Sequence, residues 1–209
     1  MGDIVLLTSR CNKRKMENTT EKRVGIDDLF NQILFRDTEL SPENKARCVR
    51  RLYDWDAAQP FPIVKFAHSL GIEVFVENLS PINDDSLKGY LAIYPDEPAV
   101  IVVSEDESYG HQRWTVAHEL WHYFTKRDEP RTETEFCAEH GNYGLSSADA
   151  EERNADRFAA ALLMPEDEFR AIYRRLDADK DDVVEYLHRY FAVSETAIKK
   201  RIRALQLSS

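Results

Sequence analysis

Apolar residues recur every third or fourth position over much of this chain. The runs end at proline, glycine or a capping residue, so the elements separate cleanly. Ser41-Pro42-Glu43 predicts a helix start, with Ser41 as N-cap and Pro42 at the first helical position. Ala46, Val49, Leu52 and Tyr53 would form the buried face of that helix to about Ala58, before Pro60 and Pro62 interrupt it. Ile63, Phe66, Ala67 and Leu70 repeat at helical spacing, and Gly71 follows where a left-handed C-terminal cap belongs. Ile72 to Val76 alternates like a strand. Lys88 to Tyr94 and Val100 to Val103 are two further strands, separated by Pro95-Asp96-Glu97-Pro98. From His111 onward the pattern is helical throughout. Val183 to Leu207 reads as two helices around Ala192-Val193-Ser194, with Ser194 capping the second. Ahead of all this, Ile4 to Leu7 predicts a short strand and Arg10 to about Arg23 a polar loop.

These elements predict an α+β protein: a small, three-stranded, mostly antiparallel sheet packed on a helical core, with an extra N-terminal helix and a C-terminal helical hairpin. The expected divisions are an N-terminal extension over 1–59, a core over 60–170 and the hairpin over 171–209.

An apolar fraction of 43% is enough for a buried core. No apolar run approaches the length that crosses a bilayer, so no membrane role is expected. Met1 to Leu7 is too short for a secretory signal, with its basic residues after it rather than before. Three cysteines, Cys11, Cys48 and Cys137, without a signal sequence fit a reducing, cytoplasmic setting. The net charge of −10 argues against attraction of the whole chain to nucleic acid.

The candidate chemistry lies in Trp114-Thr115-Val116-Ala117-His118-Glu119-Leu120-Trp121-His122-Tyr123-Phe124. Histidines four apart on a helix share one face and can bind one metal, and Glu119 beside them suits a general base. The second segment is the helix-forming run from Glu151 to Pro165. Its buried stripe is Ala155, Phe158, Ala159 and Leu162, with Glu152 and Asp156 one turn apart at the edge. Two histidines, one glutamate and an open position are a recognised catalytic zinc set. Glu152 is the expected third ligand, with Glu151 the alternative one residue away. Asp156 would accept a hydrogen bond from a ligand histidine and fix its tautomer.

On these residues the chain resembles the ImmA/IrrE family of metallopeptidases. The resemblance rests on Arg113 to His122, on Glu152 to Asp156, and on Phe158-Ala159-Ala160-Ala161-Leu162-Leu163-Met164-Pro165. Pro62 to Val74 and Phe191-Ala192-Val193-Ser194, with Ala197 and Arg201, match more weakly. Together they span about Pro60 to Leu207. Trp121 stands where the family often has glycine, and Asp156 where asparagine is common. The resemblance implies a gluzincin-like zincin core holding Zn2+ and a protein substrate, often a helix-turn-helix repressor encoded nearby. Zinc would polarise the scissile carbonyl while Glu119 moves the proton.

Several further expectations attach to single residues. His111, His140 and Tyr143 are candidate oxyanion donors, chosen for nearness in sequence. Cys137 could reach the open metal position and keep the enzyme latent. Val100 to Val103 could pair with an extended substrate. Lys199, Lys200, Arg201 and Arg203 on the last helix raise a rival, a DNA-binding helix-turn-helix. A second rival is a zinc protein that grips a repressor without cutting it.

Overall fold

The computed structural model describes residues 39–53, 60–80, 87–129, 134–139, 147–176 and 182–207; for 135–139 and 147–149 it describes the backbone alone. The expected strand at Ile4 to Leu7 and the loop from Arg10 lie outside the described residues.

Helix α1 spans Pro42–Leu52. Ser41 has extended backbone angles, and its hydroxyl accepts from the Asn44 N–H at 3.3 Å, satisfying one otherwise orphaned donor. Ala46 and Val49 are fully buried. Leu52, expected in the core, is 39% exposed. The buried stripe steps from Val49 by four residues to Tyr53 rather than by three to Leu52. The Tyr53 ring meets Phe61 and Phe66 at 5.7 and 5.2 Å between centroids.

Helix α2, Ile63–Ser69, ends as its sequence requires. Gly71 takes φ +75°, the Gly71 N–H bonds the His68 carbonyl and the Ile72 N–H bonds the Ala67 carbonyl. This is a Schellman closure, and the positive φ selects glycine there.

The chain then enters the sheet: β1 (Glu73–Glu77), β2 (Gly89–Ile93), β3 (Val100–Ser104) and, later in sequence, β4 (Glu135–Glu139). The order is β1-β3-β2-β4. β1 runs parallel to β3, whereas β2 is antiparallel to both β3 and β4. The α+β class and the mostly antiparallel pairing hold, but a fourth strand joins the expected three. Its sequence, Glu-Phe-Cys-Ala-Glu, sits in a region that reads as helical. Pairing with β2 supplies the hydrogen bonds that decide the matter, and charged ends suit an edge strand. The topology also corrects the expected docking strand. β3 is flanked by β1 and β2, so both its backbone edges are occupied.

Helix α3, Tyr109–Lys126, packs against β2, β3, β4 and α2. Ser108 caps it, accepting from the His111 N–H at 3.4 Å. Its partner is α4, Ser147–Leu163, which contacts both α3 and α1. The predicted stripe Ala155, Phe158, Ala159 and Leu162 is buried completely. One continuous core joins Leu91, Ile101 and Val103 of the sheet to Val116, Leu120 and Phe124 of α3 and Phe158 of α4.

Three shorter helices follow: α5 (Glu166–Tyr173), α6 (Val183–Phe191) and α7 (Glu195–Ala204). Between α6 and α7, Ala192 adopts left-handed angles, and the Ser194 hydroxyl accepts from the Ala197 N–H at 3.2 Å. Two arginines fasten this hairpin to the rest. Arg113 of α3 donates to the Ala192 carbonyl at 2.9 Å and the Phe61 carbonyl at 2.8 Å. Arg201 of α7 places two N–H groups on the Met164 carbonyl, at 3.1 and 2.9 Å. Arg201 is therefore buried and takes no part in the basic face that Lys199, Lys200 and Arg203 were expected to share with it. Lys199 in turn pairs with Glu195 at 3.0 Å. Among the described residues, no helix is long and apolar enough to cross a membrane.

Candidate metal centre

The four-residue spacing on α3 puts His118 and His122 one turn apart, and both rings are buried, 0% and 3% exposed. Their Nε2 atoms face each other at 3.2 Å. Glu152 comes across from α4. One of its carboxylate oxygens lies 3.0 Å from His118 Nε2 and the other 3.3 Å from His122 Nε2. These ligand atoms all fall within 4.8 Å of one another and could hold a metal ion.

The spacings test what would fit. Tetrahedral zinc with bonds of about 2.0–2.1 Å puts neighbouring ligand atoms about 3.3 Å apart. The two Nε2 atoms stand 3.2 Å apart, and each lies 3.0 or 3.3 Å from one of the two Glu152 oxygens, spacings close to that value. Two imidazole nitrogens aimed at one carboxylate are also a donor set suited to zinc. Glu152 is electrostatically committed to this cluster. Half-burial alone would raise its carboxyl, but hydrogen bonds and charge from His118 and His122 outweigh that and hold it at about 2.

Around the triad, Asp156 lies one turn beyond Glu152, with Oδ1 3.2 Å from His118 Nδ1. With Nδ1–H donating there, the His118 lone pair is left on Nε2, toward the cluster. His122 Nδ1 is buried and has no hydrogen-bond partner among the described residues. Glu119 is fully buried on α3. It lies about 100° round the helix from His118 and about 60° from His122.

The alternative acid, Glu151, is engaged elsewhere: it accepts the Trp121 indole N–H at 2.6 Å. That contact was not foreseen. The only signal for it in the sequence is a tryptophan between the two histidines.

His111 lies on α3 about 10 Å along the axis from His118, at about 1.5 Å of rise per residue. Its Nδ1 bonds Glu107, which also takes the Lys88 ammonium at 2.9 Å. Burial would raise Glu107, but Lys88 and His111 prevail and lower it. The structure therefore does not bring His111 together with the triad. His140 and Tyr143 lie outside the described residues. Cys137 sits on β4 opposite Leu91, and its side chain is likewise outside what is described.

A His-Glu-x-x-His helix opposed by a carboxylate on a second helix is the layout of a mononuclear metallohydrolase centre. The family model described as the IrrE N-terminal-like domain, a peptidase family, matches residues 67–203, and the chain belongs to that family. The match runs from the end of α2 into α7 and includes every residue of the triad. It points to a metallopeptidase acting on a protein substrate. No curated protein matches the chain.

Proposed function

We propose that this protein is a zinc-dependent endopeptidase that cleaves one specific protein, a helix-turn-helix transcriptional repressor. The observation that carries the zinc reading is the convergence of His118 Nε2, His122 Nε2 and the Glu152 carboxylate. The repressor rests on the family resemblance.

In this reading His118, His122 and Glu152 hold the metal, and Asp156 keeps His118 in the ligating tautomer. When bound, zinc supplies Lewis acidity at the scissile carbonyl and to water. Glu119 takes a proton from the attacking water and delivers it to the leaving amine; its burial and its place next to His118 in the sequence support that role. An extended substrate needs a free backbone edge. β4 offers one, since β2 occupies only one of its sides and no other described strand pairs with it; β4 also packs on α3.

The test is Glu119→Gln. The wild-type chain should bind one zinc and cut its repressor. The variant should keep the metal and lose about 10²–10⁴-fold in cleavage rate, the usual worth of a general base. Repressor inactivation at the wild-type rate by the zinc-loaded variant would overturn the peptidase reading and favour binding without cleavage.

A further inference from the structure

Trp121 makes a part-buried polar contact that the proposed chemistry does not use. Its indole N–H donates to Glu151 at 2.6 Å. Glu151 immediately precedes the candidate ligand Glu152, just as Trp121 precedes His122. Helices α3 and α4 thus meet in antiparallel rungs: Trp121 with Glu151, His122 with Glu152 and, a turn away, His118 with Asp156. Of these, the first alone involves no member of the triad.

Its geometry is closely held. Trp121 is 4% exposed, and its ring meets Phe158 of α4 at 5.7 Å. The Lys45 ammonium of α1, itself buried, stands 5.4 Å from the ring centroid. A cation over the indole face adds attraction and fixes the ring plane. A one-residue slip of α4 would turn its side chains by about 100°, moving Glu152 away from the histidines. That slip would also tear Glu151 from a buried donor, leaving the indole N–H unsatisfied.

We propose that Trp121 is a positioning residue for the metal centre. Its bond to Glu151, with Lys45 over its ring, sets the register of α4 against α3 and so presents Glu152 to the histidines before any metal arrives. The inference rests on the zinc reading above.

Zinc affinity, measured by chelator competition on the full chain, tests it without reference to cleavage. Trp121→Phe keeps the ring but removes the donor, Glu151→Ala removes the acceptor, and Glu151→Gln keeps an accepting oxygen. The first two should each weaken zinc binding roughly tenfold, in the range seen when partners just outside a ligand set are removed. The double variant should lose no more than either single one, and Glu151→Gln, which keeps a neutral acceptor in place of a charged one, should lose clearly less than Glu151→Ala. If Trp121→Phe does not fold, the two Glu151 variants decide between them. A tryptophan that merely fills space predicts Glu151→Ala unchanged; that result, or Glu151→Gln falling as far as Glu151→Ala, overturns the inference. A wild-type chain that binds no zinc overturns the metal-site reading and this inference with it, whereas wild-type binding with unaffected variants overturns this inference alone.

Discussion

Removing the Asp156 carboxylate should weaken zinc binding by an amount the structure bounds. His118 is fully buried, and its Nδ1 lies 3.2 Å from Asp156 Oδ1. Asp156→Ala strands that donor, which costs about 1–3 kcal/mol when no replacement is available. The Asp156 side chain is 29% exposed, so water can partly replace it. The lower half of the range therefore applies, about 1–2 kcal/mol, or roughly a 5- to 30-fold loss of affinity at 1.4 kcal/mol per tenfold. Asp156→Asn keeps an accepting oxygen and loses only the charge. Charge-assisted bonds are about twice as strong as neutral ones, so this variant should retain about half of the effect in free energy. Chelator competition at neutral pH, on metal-free protein whose folding is checked by circular dichroism, reads both numbers. Asp156→Ala within twofold of wild type would refute the tautomer argument. Asp156→Asn weaker than Asp156→Ala would refute it too, because a retained acceptor could not then be what matters.

Two further outcomes follow from packing and from ionisation. A Cβ at Gly110 would lie 2.6 Å from the Val193 carbonyl carbon and 2.7 Å from the Ser194 nitrogen. Gly110→Ala should therefore destabilise by about 1–3 kcal/mol despite alanine's better helix propensity of about 1 kcal/mol, and an unchanged melting temperature would contradict the clash. Tyr190 donates to Glu168 at 2.9 Å, and partial burial together with that carboxylate pushes its hydroxyl up to about 12 from an ordinary 10. A folded value above the unfolded one means the contribution is complete below pH 10 and is lost as the pH rises toward 12. Tyr190→Phe should remove that step from the pH profile of the melting temperature, and parallel profiles would count against it.

What could be read in advance follows the range of the interactions concerned. Ser41, Gly71 and Ser194 end or start their helices as expected, because a cap is settled by one side chain and the backbone within three residues of it. The pairing of Glu152 with the α3 histidines was legible through chemistry rather than pattern: a His-Glu-x-x-His helix calls for a third ligand, and Glu152 stands at the edge of the buried stripe of α4, with Glu151 left as the alternative. β4 was not legible. Five residues with charged ends carry no period of their own, and the hydrogen bonds that make them a strand come from Leu91 and its neighbours, more than forty positions earlier. The same limit explains β3. Its run of apolar residues marks a buried strand but says nothing about which strands flank it. The Trp121–Glu151 rung depends on the relative rotation of two helices, which no local pattern specifies.

The helix before the matched span bears on the same centre. α1 precedes residue 67, yet it lies along α4 and is not a loose appendage. Glu43 accepts from Nε and Nη2 of Arg157, at 2.7 and 3.0 Å, beside Asp156. Arg50 reaches the Leu162 carbonyl at 2.9 Å and Glu168 at 3.3 Å. The Glu43–Arg157 pair is largely exposed and worth about 0–1 kcal/mol. Packing outweighs it: burying Val49 alone contributes about 1.5–3 kcal/mol, and Ala46 is covered as completely. Arg113 meanwhile ties α3 to the Phe61 carbonyl, also ahead of the match. The helix carrying Glu152 is therefore gripped on one side by α3 and on another by α1. In this chain the boundary drawn by family likeness is not a boundary of packing, and the geometry that brings a carboxylate to two histidines draws on residues from both sides of it.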